Sequence, residues 1–216
     1  MTAVSDNEEY QRAIRYDQYQ GTANADTLIW IIGKRVSGPV LDVGAGNGSL
    51  LRALRRRGFQ GVQGVDIAPH SEDVKEGSIT QLPFPAATFA SVFTTEVLEH
   101  LEDAQIRDGL AEVARVLKPA GRLVVTVPFD EDFSRNLIAC PECKATFHRY
   151  GQPQRFTADS LSATLRAAGF EPEFLKVYAL GAMSILPLGR YLNWALKRMQ
   201  YDFIANTLVT VSRRMR

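Results

Sequence analysis

The 216-residue sequence has few of the features that mark secreted, membrane-spanning or nucleic-acid-binding proteins. It contains only two cysteines, Cys140 and Cys143, too few for a disulfide framework and typical of a reducing compartment. No apolar run has the length that a membrane helix needs, and the acidic, polar residues 1–10 do not resemble a signal peptide. Lys and Arg number 25 against 24 Asp and Glu, so no charge excess favours nucleic acid as a partner. These absences predict a cytoplasmic protein.

What the sequence does contain is an ordinary globular composition, 45% hydrophobic and 23% charged, in a length that suits one domain. We therefore expect a single domain over residues 1–216. Its predicted parts are a helical cap at 1–37, a first half at 38–130, a cysteine-containing loop at 131–156, and a C-terminal half at 157–216 that holds an apolar insertion at 183–203.

Apolar runs of strand length alternate with helical patterns along the chain. The predicted strands are Val40–Val43, Gly61–Asp66, 73–79, Phe89–Thr95, Leu123–Val127, Phe174–Leu180 and Thr207–Val211. The clearest helix has apolar residues spaced at i, i+4, i+7 and i+11, namely Ile106, Leu110, Val113 and Leu117. Two more are predicted, from Ser49 to Arg57 before Gly58 and from the N-cap Thr157 to Ala168. This alternation predicts a doubly wound α/β sheet with ligands at the carboxyl ends of its strands.

The stretch around which the chain is organised is VLDVGAGNGS, residues 40–49. Its apolar start predicts a buried strand, and Gly44, Gly46 and Gly48 allow a sharp turn and a close approach to a ligand before a helix begins. A tight turn with no ligand is the alternative, because short glycine motifs are common.

Two acids beside this turn bear on what the ligand is. Asp42 lies in the strand itself, where it would repel a pyrophosphate and would suit a ligand with a positively charged amino-acid end. Asp66 follows 24 residues later at the tip of the second strand, where its carboxylate can accept both hydroxyls of an unphosphorylated ribose. The spacing of the turn also differs from the G-x-G-x-x-G of hydride-transfer enzymes.

At this point the chain resembles the class I S-adenosylmethionine-dependent methyltransferases. The resemblance covers roughly residues 38–130 and rests on five motifs in the family's order. They are LDVGAGNG (41–48), GVDI (64–67), GSITQLPF (77–84), FASVFTTEVLEH (89–100) and RVLKPAG (115–121). It implies a Rossmann-like, doubly wound, seven-stranded sheet, mostly parallel with the last strand antiparallel, and methyl transfer from S-adenosyl-L-methionine.

The resemblance also implies roles for single residues. Asp42, Gly44, Ala45, Gly46 and Gly48 would hold the methionine moiety, Asp66 the ribose, Ile67 the face of adenine, and Thr95 and Glu96 the transferring methyl group. Ser78 departs from the family, which often has an aspartate there for the adenine amino group, and the backbone of Ile79 would still meet the adenine edge.

Glu96, Glu99 and His100 are spaced at i, i+3 and i+4, which predicts one helix face beside the methyl site. This pattern is similar to the E-x-x-E-H of ubiquinone-pathway O-methyltransferases and small-RNA 2′-O-methyltransferases, in which a divalent metal activates an acceptor hydroxyl. His100 is accordingly the candidate catalytic residue. The alternative is a metal-free site in which His100 forms a hydrogen bond at the start of the helix.

A second metal candidate is Cys140, Cys143 and His148, since C-P-x-C has zinc-knuckle spacing, although a fourth ligand is missing. A reduced structural loop is the alternative, and His148 could instead join the first site. Arg149, Tyr150 and Arg155 follow the fifth strand, where acceptors bind in such folds, and His70 is expected to be exposed.

The favoured function is a methyltransferase with a small-molecule acceptor, its oligomeric state open. A methyltransferase acting on RNA or protein, and a non-catalytic scaffold that uses the cysteine loop for contacts, are the alternatives. Met183–Phe203 has enough apolar surface for a hydrophobic acceptor, a dimer contact or plain core.

Overall fold

The computed structural model describes residues 24–139, 144, 146–148, 150–180 and 207–215. Most of the predicted N-terminal cap, both cysteines, Arg149 and the 183–203 insertion lie outside the described residues. No helix among the described residues is long and apolar enough to cross a membrane.

Helices and strands alternate along the chain. The helices are α1 (Ala25–Ile32), α2 (Ser49–Arg56), α3 (Asp103–Val116) and α4 (Ala158–Ala167), with 3₁₀ turns at Gly33–Arg35, Leu98–His100 and Phe133–Asn136. The strands are β1 (Val40–Val43), β2 (Val62–Asp66), β3 (Val74–Glu76), β4 (Phe89–Thr95), β5 (Leu117–Pro128), β6 (Leu137–Ala139), β7 (Thr146–His148), β8 (Phe170–Tyr178) and β9 (Thr207–Arg214).

Seven of these strands form one sheet in the order β3-β2-β1-β4-β5-β9-β8. β1 to β5 run parallel, and β9 lies antiparallel between β5 and β8. The strand order reverses at β1 and β4, and in open α/β sheets the ligand crevice lies outside the carboxyl ends of the strands at such a point. The predicted fold class, a mostly parallel seven-stranded sheet with an antiparallel last strand, is confirmed.

The core lies on both faces of this sheet. All four residues of β1 are buried, and so are Ile106, Leu110 and Val113 of the predicted helix stripe. Leu117, the fourth residue of that stripe, is buried too, but as the first residue of β5. Burying a Leu or Val side chain contributes roughly 1.5–3 kcal/mol, so these layers hold the strand ends in place. The predicted N-cap is present as well, since the Thr157 side chain accepts a hydrogen bond from the Ser160 amide.

The strands predicted at Leu123–Val127 and Phe174–Leu180 run instead over Leu117–Pro128 and Phe170–Tyr178. Three other sequence predictions need correction. The third strand was expected over 73–79 but is confined to Val74–Glu76, since the chain turns at Gly77 and Ser78 pairs with Gln81 in an isolated bridge. The stretch 131–156 was expected to be a loop, yet β6 and β7 pair there as a short antiparallel hairpin. The third correction concerns the segment that follows β4 and is given with the site.

Candidate functional site

The glycine turn after β1 is built by backbone bonds to β2. The amides of Gly44 and Ala45 both donate to the carbonyl of Val65, at 2.8 and 3.1 Å. Gly44, Gly46 and Gly48 have φ angles of +77°, +49° and +75°, a region that side chains with a Cβ rarely adopt. Gly48 then caps α2, so the helix N-terminus faces the turn.

Asp66, the last residue of β2, stabilises this turn through backbone hydrogen bonds. Its Oδ2 accepts from the amide of Gly46 at 2.8 Å, and its Oδ1 accepts from the amide of Ala68 at 2.9 Å. Asp66 is 5% exposed. Because a carboxylate has about four lone-pair sites, two bonds to the backbone leave acceptor capacity for ligand hydroxyls.

A cleft opens between the turn, the ends of β1, β4 and β5, and the start of α1. Its lining includes Asn24, Leu28, Asp42, Gly44, Ala45, Gly46, Asn47, Thr95, Glu96, Thr126 and Leu180. The described lining contains two acids and no basic residue, so the electrostatics of the cleft favour a cationic ligand.

Asp42 is the sharpest electrostatic feature of this cleft. It is 1% exposed, and its Oδ1 has no hydrogen-bond partner among the described residues. Burial, and then the charge of Asp66, raise the pKa of Asp42 well above its usual range. A buried carboxylate without a partner is costly, and a cationic or donor group of a ligand removes that cost.

Glu96 and Thr126 line the cleft at the ends of β4 and β5. The Thr126 hydroxyl at the end of β5 donates to Glu96 Oε1 at 2.8 Å, and the Thr126 carbonyl accepts from the Glu96 amide at 2.9 Å. These bonds fix a backbone with φ of +55° at Glu96, uncommon for a residue with a side chain. Thr95 lies beside them and lines the cleft.

On the predicted adenine side, Ile67 follows β2, and Ser78 and Ile79 follow β3, whose end is paired in register with that of β2. Ile67 is half-buried directly after Asp66. The Ser78 hydroxyl is within 2.9 Å of the Thr80 hydroxyl, so it already has a local partner. The Ile79 side chain packs towards Gly109 of α3, which leaves only its backbone for the predicted contact.

The expected helix face of Glu96, Glu99 and His100 is wrong, which is the third correction. Glu96 lies outside any helix in a left-handed backbone conformation, and only Leu98–His100 forms a 3₁₀ turn. A 3₁₀ turn has three residues per turn, so the i, i+4 spacing does not align the side chains. The carboxyl groups of Glu96 and Glu99 nevertheless meet through a side-chain hydrogen bond.

His100 has contacts that suit a structural use. Its ring bonds to the backbone of Gly151 and Tyr150, which ties the segment after β7 to the end of β4. Burial lowers the pKa of His100 to about 4, so it is neutral at pH 7 and a weak base. The catalytic role of His100 stays a prediction.

Neither predicted metal set is assembled among the described residues, where no group of three or more His, Cys, Asp or Glu side chains has the geometry to hold a metal ion. In the first set, Glu96 accepts from a hydroxyl and His100 Nε2 lies 4.0 Å from Glu99 Oε1. In the second set, Cys140 and Cys143 lie outside the described residues.

Of the residues expected near an acceptor, Arg155 pairs with Asp130 at 2.7 Å on the surface. Tyr150 is half-exposed, with its ring against His148. His70 is exposed as expected, and its amide donates to the carbonyl of Gly46.

The lining residues that sequence reasoning missed include Asn24 just before α1, Leu28 of α1, Thr126 of β5, and Leu180. The signal for Thr126 was present in its place at the carboxyl end of a strand parallel to β4, where it pairs in register with Thr95. The other three reach the cleft only through the packing of the whole chain, which local patterns do not encode.

The crevice at the strand reversal, with two acids in its lining, defines an open α/β protein with a ligand site at the carboxyl ends of its strands. Three comparisons with known proteins show the family. A family model described as a methyltransferase domain matches residues 16–173. An O-methyltransferase of Aspergillus nomiae, rstn1, is 29% identical over 161 residues, which cover 65% of this chain and 69% of that protein.

A demethylmenaquinone methyltransferase of Tropheryma whipplei is 28% identical over 183 residues, covering 72% of this chain and 75% of that protein. Among solved structures, the 1,6-didemethyltoxoflavin-N1-methyltransferase of Burkholderia thailandensis, with S-adenosylhomocysteine bound, matches with a TM-score of 0.62. It is 19% identical and covers 100% of this chain and 93% of that chain. The chain belongs to the class I S-adenosylmethionine-dependent methyltransferases.

Proposed function

We propose that this enzyme transfers a methyl group from S-adenosyl-L-methionine to a small-molecule acceptor, with the cofactor in the cleft between β1 and β4. The observation that carries the proposal is the buried Asp42 carboxylate, which has an unpartnered oxygen beside the cleft. S-adenosylmethionine has a sulfonium and an ammonium group. It therefore supplies positive charge to a cleft whose described lining has two acids and no basic residue.

We assign the ends of the cofactor by the chemistry of each wall. The ribose hydroxyls are expected at Asp66, which retains acceptor capacity and holds the turn, and the amino-acid end at Asp42 and the backbone of Gly44 to Gly48. The methyl group then lies towards Thr95 and Glu96. Adenine is expected beside Ile67 and the 78–79 backbone.

The contribution of the protein to such a reaction is mainly positioning. Transfer from a sulfonium needs the acceptor atom in line with the carbon–sulfur bond, and holding two reactants in that geometry can supply about 7–11 kcal/mol of the barrier. The backbone bonds between Glu96 and Thr126 keep the wall nearest the expected methyl group fixed.

A small-molecule acceptor is supported by the names of the relatives, which include an O-methyltransferase, a demethylmenaquinone methyltransferase and an N1-methyltransferase. These differ in acceptor atom, so the proposal leaves oxygen, nitrogen and carbon open for this chain.

Isothermal titration calorimetry with S-adenosylhomocysteine tests the proposal. We expect the wild type to bind it, and Asp66→Ala to weaken binding tenfold or more, because a hydrogen bond to a charged group contributes about 1.5–3 kcal/mol. Asp73→Ala is the matched control, since it removes an acid that pairs with Arg55 on the surface beside β3. A wild type that does not bind S-adenosylhomocysteine refutes the proposal.

A further inference from the structure

Two of the five sequence motifs are joined to each other by hydrogen bonds. One is GSITQLPF, residues 77–84, which follows β3, and the other is RVLKPAG, residues 115–121, which begins near the end of α3. We call residues 77–84 the adenine-side loop, because Ser78 and Ile79 are the positions expected to meet adenine. The cofactor site as described so far assigns no role to Arg115.

The far end of the adenine-side loop is held by two charged residues of α3. The Arg115 guanidinium donates to the carbonyl of Leu82 at 3.0 Å and to the carbonyl of Phe84 at 2.8 Å. Glu112 Oε2 accepts from the amide of Leu82 at 2.9 Å. The guanidinium also donates to both carboxylate oxygens of Glu112, at 2.6 and 2.8 Å, and these bonds hold the pKa of Glu112 below its ordinary value. The pair is therefore charged at neutral pH, and its planar geometry fixes the loop backbone in one orientation.

The same face of α3 leaves room for the loop. Positions 109, 112 and 115 are spaced by three residues, so they follow one another along the helix surface. Gly109 is buried, and a Cβ added there would lie 3.0 Å from Ile79 Cγ1. Glycine within a helix is unfavourable relative to alanine, so its presence here is explained by the space that Ile79 needs.

A displacement of the held end would reach the residues expected at adenine. Pro83, between the two held residues, packs against the start of the loop, since a Cβ added at Gly77 would lie 3.1 Å from Pro83 Cδ. The Gly77 amide donates to the carbonyl of Asp66 at 2.9 Å, and the Gln81 amide donates to the carbonyl of Ser78 at 3.1 Å. The loop is thus bound at one end to the residue expected at the ribose and at the other end to α3.

We propose that Glu112 and Arg115 are positioning residues for the base of the cofactor: they hold the adenine-side loop so that its 78–79 backbone reads the edge of adenine. A backbone edge can distinguish adenine from hypoxanthine, because the 6-amino group donates where a 6-oxo group accepts, and N1 accepts where N1–H donates. Hydrogen bonds weaken steeply as distance and angle depart from their optimum, so this discrimination depends on where the backbone is held. The inference rests on the proposed function, since it concerns the base of that cofactor.

The test compares S-adenosylhomocysteine with S-inosylhomocysteine, which differs only in the base, by isothermal titration calorimetry. We expect the wild type to bind S-adenosylhomocysteine roughly tenfold more tightly or better. Arg115→Gln removes the guanidinium bonds to both carbonyls and should lower that ratio about threefold or more. Arg166→Gln is the matched control, because Arg166 pairs in a similar way with Glu171 on the surface at the end of α4, and it should leave the ratio unchanged.

Hydrogen exchange measured by mass spectrometry reports on the loop itself. Arg115→Gln should raise the exchange rate of peptides that cover residues 77–84 by about threefold or more, whereas Arg166→Gln should not. Glu112→Gln is the milder variant, because its side-chain oxygen can still accept from the Leu82 amide while the charge pair is lost. Its effects on the ratio and on exchange should have the same direction as those of Arg115→Gln and be smaller.

Three results would overturn the inference and leave the proposed function in place. The wild type could bind both ligands equally well, Arg115→Gln could weaken both by the same factor, or exchange in the loop could be unchanged in Arg115→Gln. The second result would show that Arg115 has a structural role alone. If Arg115→Gln does not fold, the same criteria apply to Glu112→Gln. A wild type that binds neither ligand would instead count against the proposed function.

Discussion

At the scale of single residues, the site contains buried acidic side chains whose charged form is costly unless a ligand provides a partner. Asp42 and Glu99 are each 1% exposed. Asp42 Oδ1 has no hydrogen-bond partner among the described residues, and the Glu99 carboxyl meets another acid, Glu96. Such groups reduce the stability of the ligand-free protein and favour binding of the right ligand, the usual trade between stability and function. Substitution of either acid by its amide is expected to separate the two effects.

Asp42→Asn should stabilise the ligand-free protein at pH 8 and weaken S-adenosylhomocysteine binding. Burial and the charge of Asp66 raise the pKa of Asp42, so the folded state holds its proton more tightly than the unfolded state does. Its contribution to stability is therefore present below the unfolded pKa, near 4, and is lost as pH rises through the raised folded pKa. Thermal unfolding at pH 4.5 and pH 8 measures this.

The stabilisation by Asp42→Asn should be larger at pH 8 than at pH 4.5, because less of the contribution of Asp42 to stability has been lost at the lower pH. Asp73→Asn, an exposed acid paired with Arg55, serves as control and should show no such pH-dependent gain. A loss of stability at pH 8 in Asp42→Asn would show that the Asp42 carboxylate has a stabilising partner in the ligand-free protein.

At the scale of elements, the turn between β1 and α2 positions the site, and glycine is required there for steric reasons. A Cβ added at Gly44 would lie 2.4 Å from Val97 Cγ2, and the φ of +77° is strained for other residues. Gly58, after α2, has a φ of +83° but nothing within 4 Å of an added Cβ. The two positions share the backbone strain and differ in the clash.

Gly44→Ala should therefore destabilise the protein by about 1–3 kcal/mol more than Gly58→Ala, since overpacking adds that amount to the strain the two share. Urea unfolding of the two variants measures the difference. Only Gly44→Ala should also weaken S-adenosylhomocysteine binding. Equal destabilisation would mean that Val97 moves aside at no cost.

How far the sequence predicts these elements depends on the range of the interactions. The strand, the turn and Asp66 follow from local patterns, because apolar runs and glycines act on their immediate neighbours. The helix expected from Glu96 to His100 was wrong because the Thr126 carbonyl and hydroxyl, on another strand, hold Glu96 in a non-helical conformation. The 3.4 Å contact between Glu131 Oε1 and His148 Nε2 was not predicted, because His148 lies in a β6–β7 hairpin where a loop was expected.

At the scale of the whole molecule, sheet topology places the chemistry at one edge. The parallel register aligns the carboxyl ends of β1, β4 and β5, so Asp42, Glu96 and Thr126 meet although they are far apart in the chain. β2 adds Asp66 from the other side of β1.

The central claim is that this edge binds a cationic sulfonium nucleoside rather than a dinucleotide. The most direct measurement is a calorimetric titration of the wild type with S-adenosyl-L-methionine and, separately, with NAD⁺. The acidic wall and the glycine spacing predict one S-adenosylmethionine bound per chain and no binding of NAD⁺, whose pyrophosphate would face Asp42. Binding of NAD⁺, or no binding of S-adenosylmethionine, would contradict the account.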